Sequence, residues 1–313
     1  MNEVAVIERN TALAAGREIN GDLFNRWTMY LDAKPKTVQT YTRAIRQFFY
    51  YLQLNGITQP TRETVLAYRD SIKAEHKPTT VQAYMNAVKL FFAWTAQEGL
   101  YPNIADRVKG AKLDSGFKKD YLTPRQANKF LTTIDRSTLR GKRDYAILSL
   151  MVTAGLRTVE VVRANIEDMR TVADFTALYI QGKGHEEKTD FVKLAAPVED
   201  AIRDYLTARG KADPAAPLFI SVAHRNGGER MTTRSVSRIA KDNLVNAGLD
   251  SDRLTAHSLR HTAATLNLMN GGTVEETQQL LRHSNINTTL IYSHALERAK
   301  NNSEDRIAKA IFG

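Results

Sequence analysis

Between Thr255 and His294 the chain places four of its seven histidines, Arg260, Arg282 and a single tyrosine, Tyr292. The order is His257-x-x-Arg260-His261, then His283 at 23 positions past Arg260, then Tyr292 nine residues further on. Cleaving a phosphodiester without a metal takes an attacking hydroxyl, fixed cations against the non-bridging oxygens and a proton donor for the leaving oxygen. This segment holds a hydroxyl, imidazoles and the guanidiniums of Arg260 and Arg282. The missing cations lie upstream. Arg157 sits in Ala154-Gly155-Leu156-Arg157-Thr158-Val159-Glu160, and Lys183 is flanked by Gly182 and Gly184.

Taken one at a time, these residues have ordinary structural readings. Arg157 can pair with Glu160 at i+3 on a helix surface. Lys183 can be a solvated hairpin tip, and its chemical alternative is an ammonium reaching a substrate as proton donor. His257 and Arg260, at i and i+3, share a helix face, so they address one phosphate or simply each other. His261 lies about 100° of helix rotation from Arg260 and is expected to be structural. His283, near a helix end after Gln279-Leu280-Leu281-Arg282, can be a cap, and Tyr292 a core aromatic.

The elements that would carry this set are legible around it. Thr123-Pro124 opens a helix, and residues 142–153 form another with an apolar centre. Residues 177–181 and 189–194 read as strands joined through Gly182-Lys183-Gly184. This half is therefore expected to be mainly helical with a small antiparallel sheet.

The N-terminal half contains an internal repeat at an offset of 43. Lys34-Pro35-x-Thr37-Val38-Gln39-x-Tyr41 recurs as Lys77-Pro78-x-Thr80-Val81-Gln82-x-Tyr84, and the echo continues through Phe48-Phe49/Phe91-Phe92 and Gly56/Gly99. Each copy opens with Pro, ends at a Gly suited to a helix C-terminus, and spaces its apolar residues along one helical face. Such helices must bury their stripes against each other, which predicts a compact four- or five-helix domain. Lys36, Arg43, Arg46, Lys77 and Lys89 fall on the exposed faces. Basic faces are commonly just solvated, but a matched pair in a basic domain points to the DNA backbone.

At 313 residues two domains are expected. We divide the chain into an N-terminal extension (1–19), a helical DNA-binding domain (20–108), a polar, basic linker (109–120) and a catalytic domain (121–313). The net charge is +10, with 15 basic and 11 acidic residues up to Gly116 and 29 and 23 after it, so both halves are positive. Nucleic acid is the favoured partner. The absence of cysteine rules out a disulfide framework and fits a reducing cytoplasm. Neither a signal peptide nor an apolar run of membrane-spanning length is expected.

Together the motifs AGLRTVE, strand–QGKG–strand, TAHSLRHTAAT and QQLLRHSNINTTLIYSH resemble, in order and spacing, the tyrosine recombinases of the phage-integrase and Xer-like family. The resemblance covers residues 20–300. It implies a mainly α fold with a small antiparallel β-sheet, built as a two-domain, C-shaped clamp of a helical core-binding domain and an α+β catalytic domain. It also implies a site-specific DNA recombinase working through a 3′-phosphotyrosine intermediate and a Holliday junction, with no metal or other cofactor. By motif position, Arg157 and Arg260 would clamp the scissile phosphate, Lys183 would protonate the leaving 5′ oxygen and Tyr292 would attack. His257 would serve as acid/base, His283 would hydrogen-bond the phosphate and Glu160 would orient the region of Arg157. Two departures stand out. Arg282 replaces a glycine that commonly precedes the second histidine, so it either alters the backbone or adds a DNA contact. His185-Glu186-Glu187 makes the hairpin tip acidic.

The partners implied are double-stranded DNA with inverted-repeat core sites and further copies of the chain, a dimer per site and a tetramer in the synapse. Ser303 and the acidic residues after it predict a last short helix with Ile307, Ala310 and Ile311 as its apolar stripe. That helix packs either on its own domain or, as the resemblance favours, on a neighbouring protomer. With only about 20 residues before the first helices, a simple two-domain recombinase without an arm-binding domain is expected. The alternatives to weigh are a type IB topoisomerase and a DNA-binding regulator that has lost catalysis.

Overall fold

The computed structural model describes residues 21–112, 120–182 and 187–313. The chain divides into two compact units, Met1–Ser115 and Gly116–Gly313. The division falls inside the stretch 109–120 read as a linker.

In the first unit the described helices are α1 (Gly21–Tyr30), α2 (Pro35–Leu54), α3 (Arg62–Glu75) and α4 (Pro78–Gln97). The two repeat copies are α2 and α4. Each starts with proline in its first turn after an extended lysine, Lys34 or Lys77, where the missing N–H costs no helical bond. Each ends two residues before a glycine in the left-handed region, Gly56 at φ 62° and Gly99 at φ 65°. Their aromatic pairs cross. Phe48 meets Phe92 edge-on at 5.8 Å between centroids, and Phe49 meets Phe91 at 5.2 Å. Trp27 of α1 and Tyr68 of α3 close the same core against Phe91 and Phe48. Each fully buried phenylalanine here contributes on the order of 2–3 kcal/mol. Lys36, Arg43, Arg46 and Lys77 are exposed as expected, and Arg46 lies 5.0 Å over the ring of Phe24. Lys89, expected on the exposed face, is half-buried.

The second unit runs α5 (Pro124–Thr132), α6 (Leu139–Ala154), α7 (Thr158–Arg163), a short 3-10 turn, β1 (Met169–Val172), β2 (Phe175–Ile180), β3 (Asp190–Lys193) and α8 (Ala196–Arg209). It continues with α9 (Thr233–Asn246), α10 (Ala256–Met269), α11 (Val274–Leu281), α12 (Asn287–Lys300) and α13 (Ser303–Phe312). Helix α6 is the hub, apolar around most of its circumference, with Ile147, Leu148, Leu150 and Met151 buried. It begins three residues before the predicted 142–153, because the Thr138 hydroxyl accepts the Gly141 N–H at 3.1 Å and caps it. The sheet is antiparallel in the order β1-β2-β3, with Leu178 facing Met169 on one side and Val192 on the other. Strand β1 was not expected from the sequence.

Candidate active site

Helix α6 ends at Gly155, whose φ of 60° reverses the chain into Leu156-Arg157. A Cβ at Gly155 would stand 2.7 Å from Leu281 Cδ2, so both the turn and the close approach of α11 require glycine here. Arg157 is the extended residue just before α7. Its N–H donates to Glu160 Oε2 at 2.8 Å, and its Nη1 donates to Oε1 at 2.7 Å. The i, i+3 pair therefore forms, yet the Arg157 side chain keeps 29% of its surface exposed while Glu160 is fully buried. Arg157 is held without being hidden.

Helix α10 carries His257, Arg260 and His261. Its first turn is closed by Ser258 Oγ, which accepts the Thr255 N–H at 3.0 Å and donates to the Arg253 carbonyl. Leu259 and Ala264 are buried. Arg260, 1% exposed, donates to the carbonyl oxygens of Gly155 and Leu281. His257 is exposed. His261, expected to point elsewhere, instead packs edge-on against His257 at 4.5 Å and lies 5.2 Å from the Tyr292 ring. The correction is geometric: His261 is four residues from His257, about 40° around the helix, so the two rings share a side.

Helix α11 ends at Arg282, which adopts the left-handed conformation, φ 54° and ψ 48°. The His283 N–H then reaches back to the Gln278 carbonyl, closing the helix end. The arginine thus keeps the turn that a glycine makes easily. Its side chain is 9% exposed and pairs with Glu160 Oε2 at 2.9 Å. Arg282 was expected either to alter the backbone or to contact DNA, and it faces inward. His283 is tethered through Nδ1 to the buried Thr289 hydroxyl of α12 at 2.9 Å. Tyr292 follows one turn later, 3% exposed, packed with Ala264 and Leu281.

Arg157, Glu160, His257, Arg260, His261, Arg282, His283 and Tyr292 all line one cleft of about 450 Å³. Burial, then the Arg260, Arg157 and Arg282 guanidiniums, press the His283 imidazole down to about 4, so it is neutral at working pH. Burial pushes the Tyr292 phenol up to about 12, against the pull of Arg260 and Arg157. Burial alone would raise the Glu160 carboxyl, but Arg282 and Arg157 outweigh it and leave it below the ordinary value.

Lys183 lies outside the described residues, as do His185 and Glu186 of the tip. Both ends of that loop are anchored. Arg163 Nη1 donates to the Gly182 carbonyl at 3.1 Å, and Lys188 pairs with the buried Asp168 at 2.5 Å. Among the described residues no group of three or more His, Asp or Glu is arranged to hold a metal ion, and no helix is long and apolar enough to cross a membrane.

Residues 120–298 match the phage integrase family, and residues 23–100 match the phage integrase N-terminal SAM-like domain. The chain belongs to the phage integrase family of tyrosine recombinases. Over 178 residues it is 37% identical to a tyrosine recombinase XerC of Caldanaerobacter subterraneus subsp. tengcongensis, a match covering 56% of this chain and 47% of that protein. The chain thus spans about half the length of that curated relative. Among solved structures it resembles XerH site-specific recombinase bound to palindromic difH substrate, a post-cleavage complex, with a TM-score of 0.71 at 20% identity, covering 92% of this chain and 83% of that one. It also resembles a lambda integrase tetramer bound to a Holliday junction, with a TM-score of 0.67 at 17% identity, covering 87% and 76%. Both likenesses confirm the fold of a helical N-terminal domain followed by a mainly helical catalytic domain with a small sheet.

Proposed function

We propose that this protein is a site-specific DNA recombinase that cuts and rejoins strands through a covalent 3′-phosphotyrosyl bond at Tyr292. One observation carries the reading: four separate chain segments bring Arg157, His257, Arg260, His283 and Tyr292 into a single cleft. Arg157 and Arg260 neutralise the non-bridging oxygens. A phenol held near 12 is almost wholly protonated at neutral pH, so it loses its proton to His257 as the bond to phosphorus forms. The neutral His283, its Nδ1 occupied by Thr289, donates from Nε2 to the phosphate. As the bond from phosphorus to the 5′ oxygen breaks, Lys183 supplies the proton that oxygen needs. The freed 5′ hydroxyl of a partner strand reverses the steps, so rejoining needs no outside energy source.

DNA would be gripped by Lys36, Arg43, Arg46 and Lys77 of the N-terminal unit, with Lys89 contributing less from its half-buried place. The assembly proposed is a dimer on each inverted-repeat core site and a tetramer in the synapse, working in the cytoplasm. It is supported by α13, which has no buried residue and leaves Ile307, Ile311 and Phe312 exposed. Duplexes enriched by binding from a random pool, then nicked as suicide substrates, test the reading. The wild type is expected to leave a denaturant-resistant adduct mapping to Tyr292, and Tyr292→Phe none, with binding kept. A wild type that binds but forms no adduct is a regulator. One that forms adducts yet never joins two sites acts as a topoisomerase.

A further inference from the structure

We propose that Arg282 is a positioning residue of the strand-transfer site, gripping Glu160 together with Arg157 and restoring to the cleft the positive charge that Glu160 cancels. The inference rests on the recombinase reading above.

The geometry is specific. Glu160 is fully buried, and its two oxygens are shared between two arginines on different helix ends. Oε1 takes Arg157 Nη1, while Oε2 takes the Arg157 N–H at 2.8 Å and Arg282 Nη2 at 2.9 Å. Of the rest of the Arg282 fork, Nη1 donates to the Leu280 carbonyl at 2.5 Å and Nη2 lies within 3.4 Å of the Gly155 carbonyl, while Nε is buried without a hydrogen-bond partner. With nine-tenths of its side chain buried, Arg282 is aimed at Glu160 and away from solvent.

The charge count gives this contact its consequence. Arg157 and Glu160 alone sum to zero, and a neutral pair offers a phosphodiester little field. With Arg282 the trio carries +1; Arg260 adds a further positive charge and Asp190 on the cleft wall takes one away, so the cleft carries +1 and would be neutral without Arg282. The transition state combines a phosphodiester anion with an attacking phenolate, two negative charges in all. Fixed cations in a partly dry cleft are worth most where such charge develops. Among the described residues, the other charged or titratable groups lining the cleft are Asp190 of β3, His257, His261, His283 and Tyr292. Removing Arg282 therefore leaves Glu160 competing with the substrate for Arg157.

Arg282→Gly is the informative variant, because glycine takes the left-handed turn freely and only the side chain is lost. Single-turnover cleavage of the nicked substrate should fall roughly 10- to 100-fold, with DNA affinity within about threefold of wild type. The acid limb of its pH profile should move upward, since Glu160 loses a cation that keeps it ionised. Arg282→Lys should recover part of the rate. Adding Glu160→Gln to Arg282→Gly should cost less than the two single losses combined, because both act through one contact. Wild-type cleavage with an unchanged pH profile in Arg282→Gly overturns the proposal. So does a rate loss wholly matched by lost DNA affinity, which would make Arg282 a DNA contact. If the wild type itself forms no adduct, the recombinase reading fails. Imidazole titration of His283 by NMR in the DNA-free protein still decides this one, since an unmoved His283 in Arg282→Gly shows that the charge does not reach the cleft.

Discussion

The guanidinium of Arg260 donates to the carbonyl of Gly155, 105 residues earlier in the chain, and with its other arm to that of Leu281. These carbonyls stand at the C-terminal ends of α6 and α11, where backbone acceptors lack helical partners and the helix dipole favours a cation. One side chain thus satisfies two helix ends and presents its charge to the cleft between them.

Arg260→Ala should therefore lose stability as well as chemistry. Losing the donor to the Leu281 carbonyl, and leaving that of Gly155 only the 3.4 Å contact with Arg282 Nη2, costs about 2–3 kcal/mol, whereas Arg157→Ala, whose partner Glu160 is still held by Arg282, should cost about 1 kcal/mol. Both should abolish cleavage while folded protein still binds DNA. Thermal melts beside adduct yields check the split, and equal melting temperatures for the two variants would contradict the stapling role of Arg260.

Lys183→Ala should slow cleavage where the leaving oxygen needs a proton. A 5′-phosphorothiolate at the scissile bond leaves as a thiolate of much lower basicity and needs little general acid. That substrate is expected to rescue Lys183→Ala and not Arg260→Ala. Failure of both variants on the sulfur substrate removes the general-acid assignment.

The neutral His283 makes stability depend on pH. Its folded value of about 4 lies below the unfolded 6.5, so the unfolded chain binds more protons between those limits. The stability is full above about 6.5 and is lost as pH falls toward 4. Since the ring is only half-buried, about 1 kcal/mol is expected after solvent screening. Melting temperatures at pH 7.5 and pH 5 should differ less in His283→Gln than in the wild type. An equal drop in both proteins would assign the acid sensitivity to other groups.

Deleting residues 303–313 removes α13, which has no buried residue and leaves Ile307, Ile311 and Phe312 exposed. Ten residues rarely hold a helix alone in water, so the expected partner is a neighbouring protomer. Single-site binding should stay near wild type, while cooperative binding to paired sites weakens and complete exchange stops. Full recombination by the shortened chain would move the coupling to the N-terminal units.

The residues of the cleft and the repeat helices were legible in the sequence, because each signal is local. Proline followed by a 3.6-residue apolar rhythm and a closing glycine specifies α2 and α4 without reference to anything distant. The spacing of His257, Arg260, His283 and Tyr292 likewise survives in one dimension. Three features were decided only in three dimensions. Strand β1 has no strong alternation of its own and exists through its ladder with β2. His261 joins the site because α10 packs between α6 and α12, setting which side of the helix faces Tyr292. Arg282 turns inward because a fully buried carboxylate, 122 residues away in the chain, needs a second cation, and a buried charge goes where it is paired.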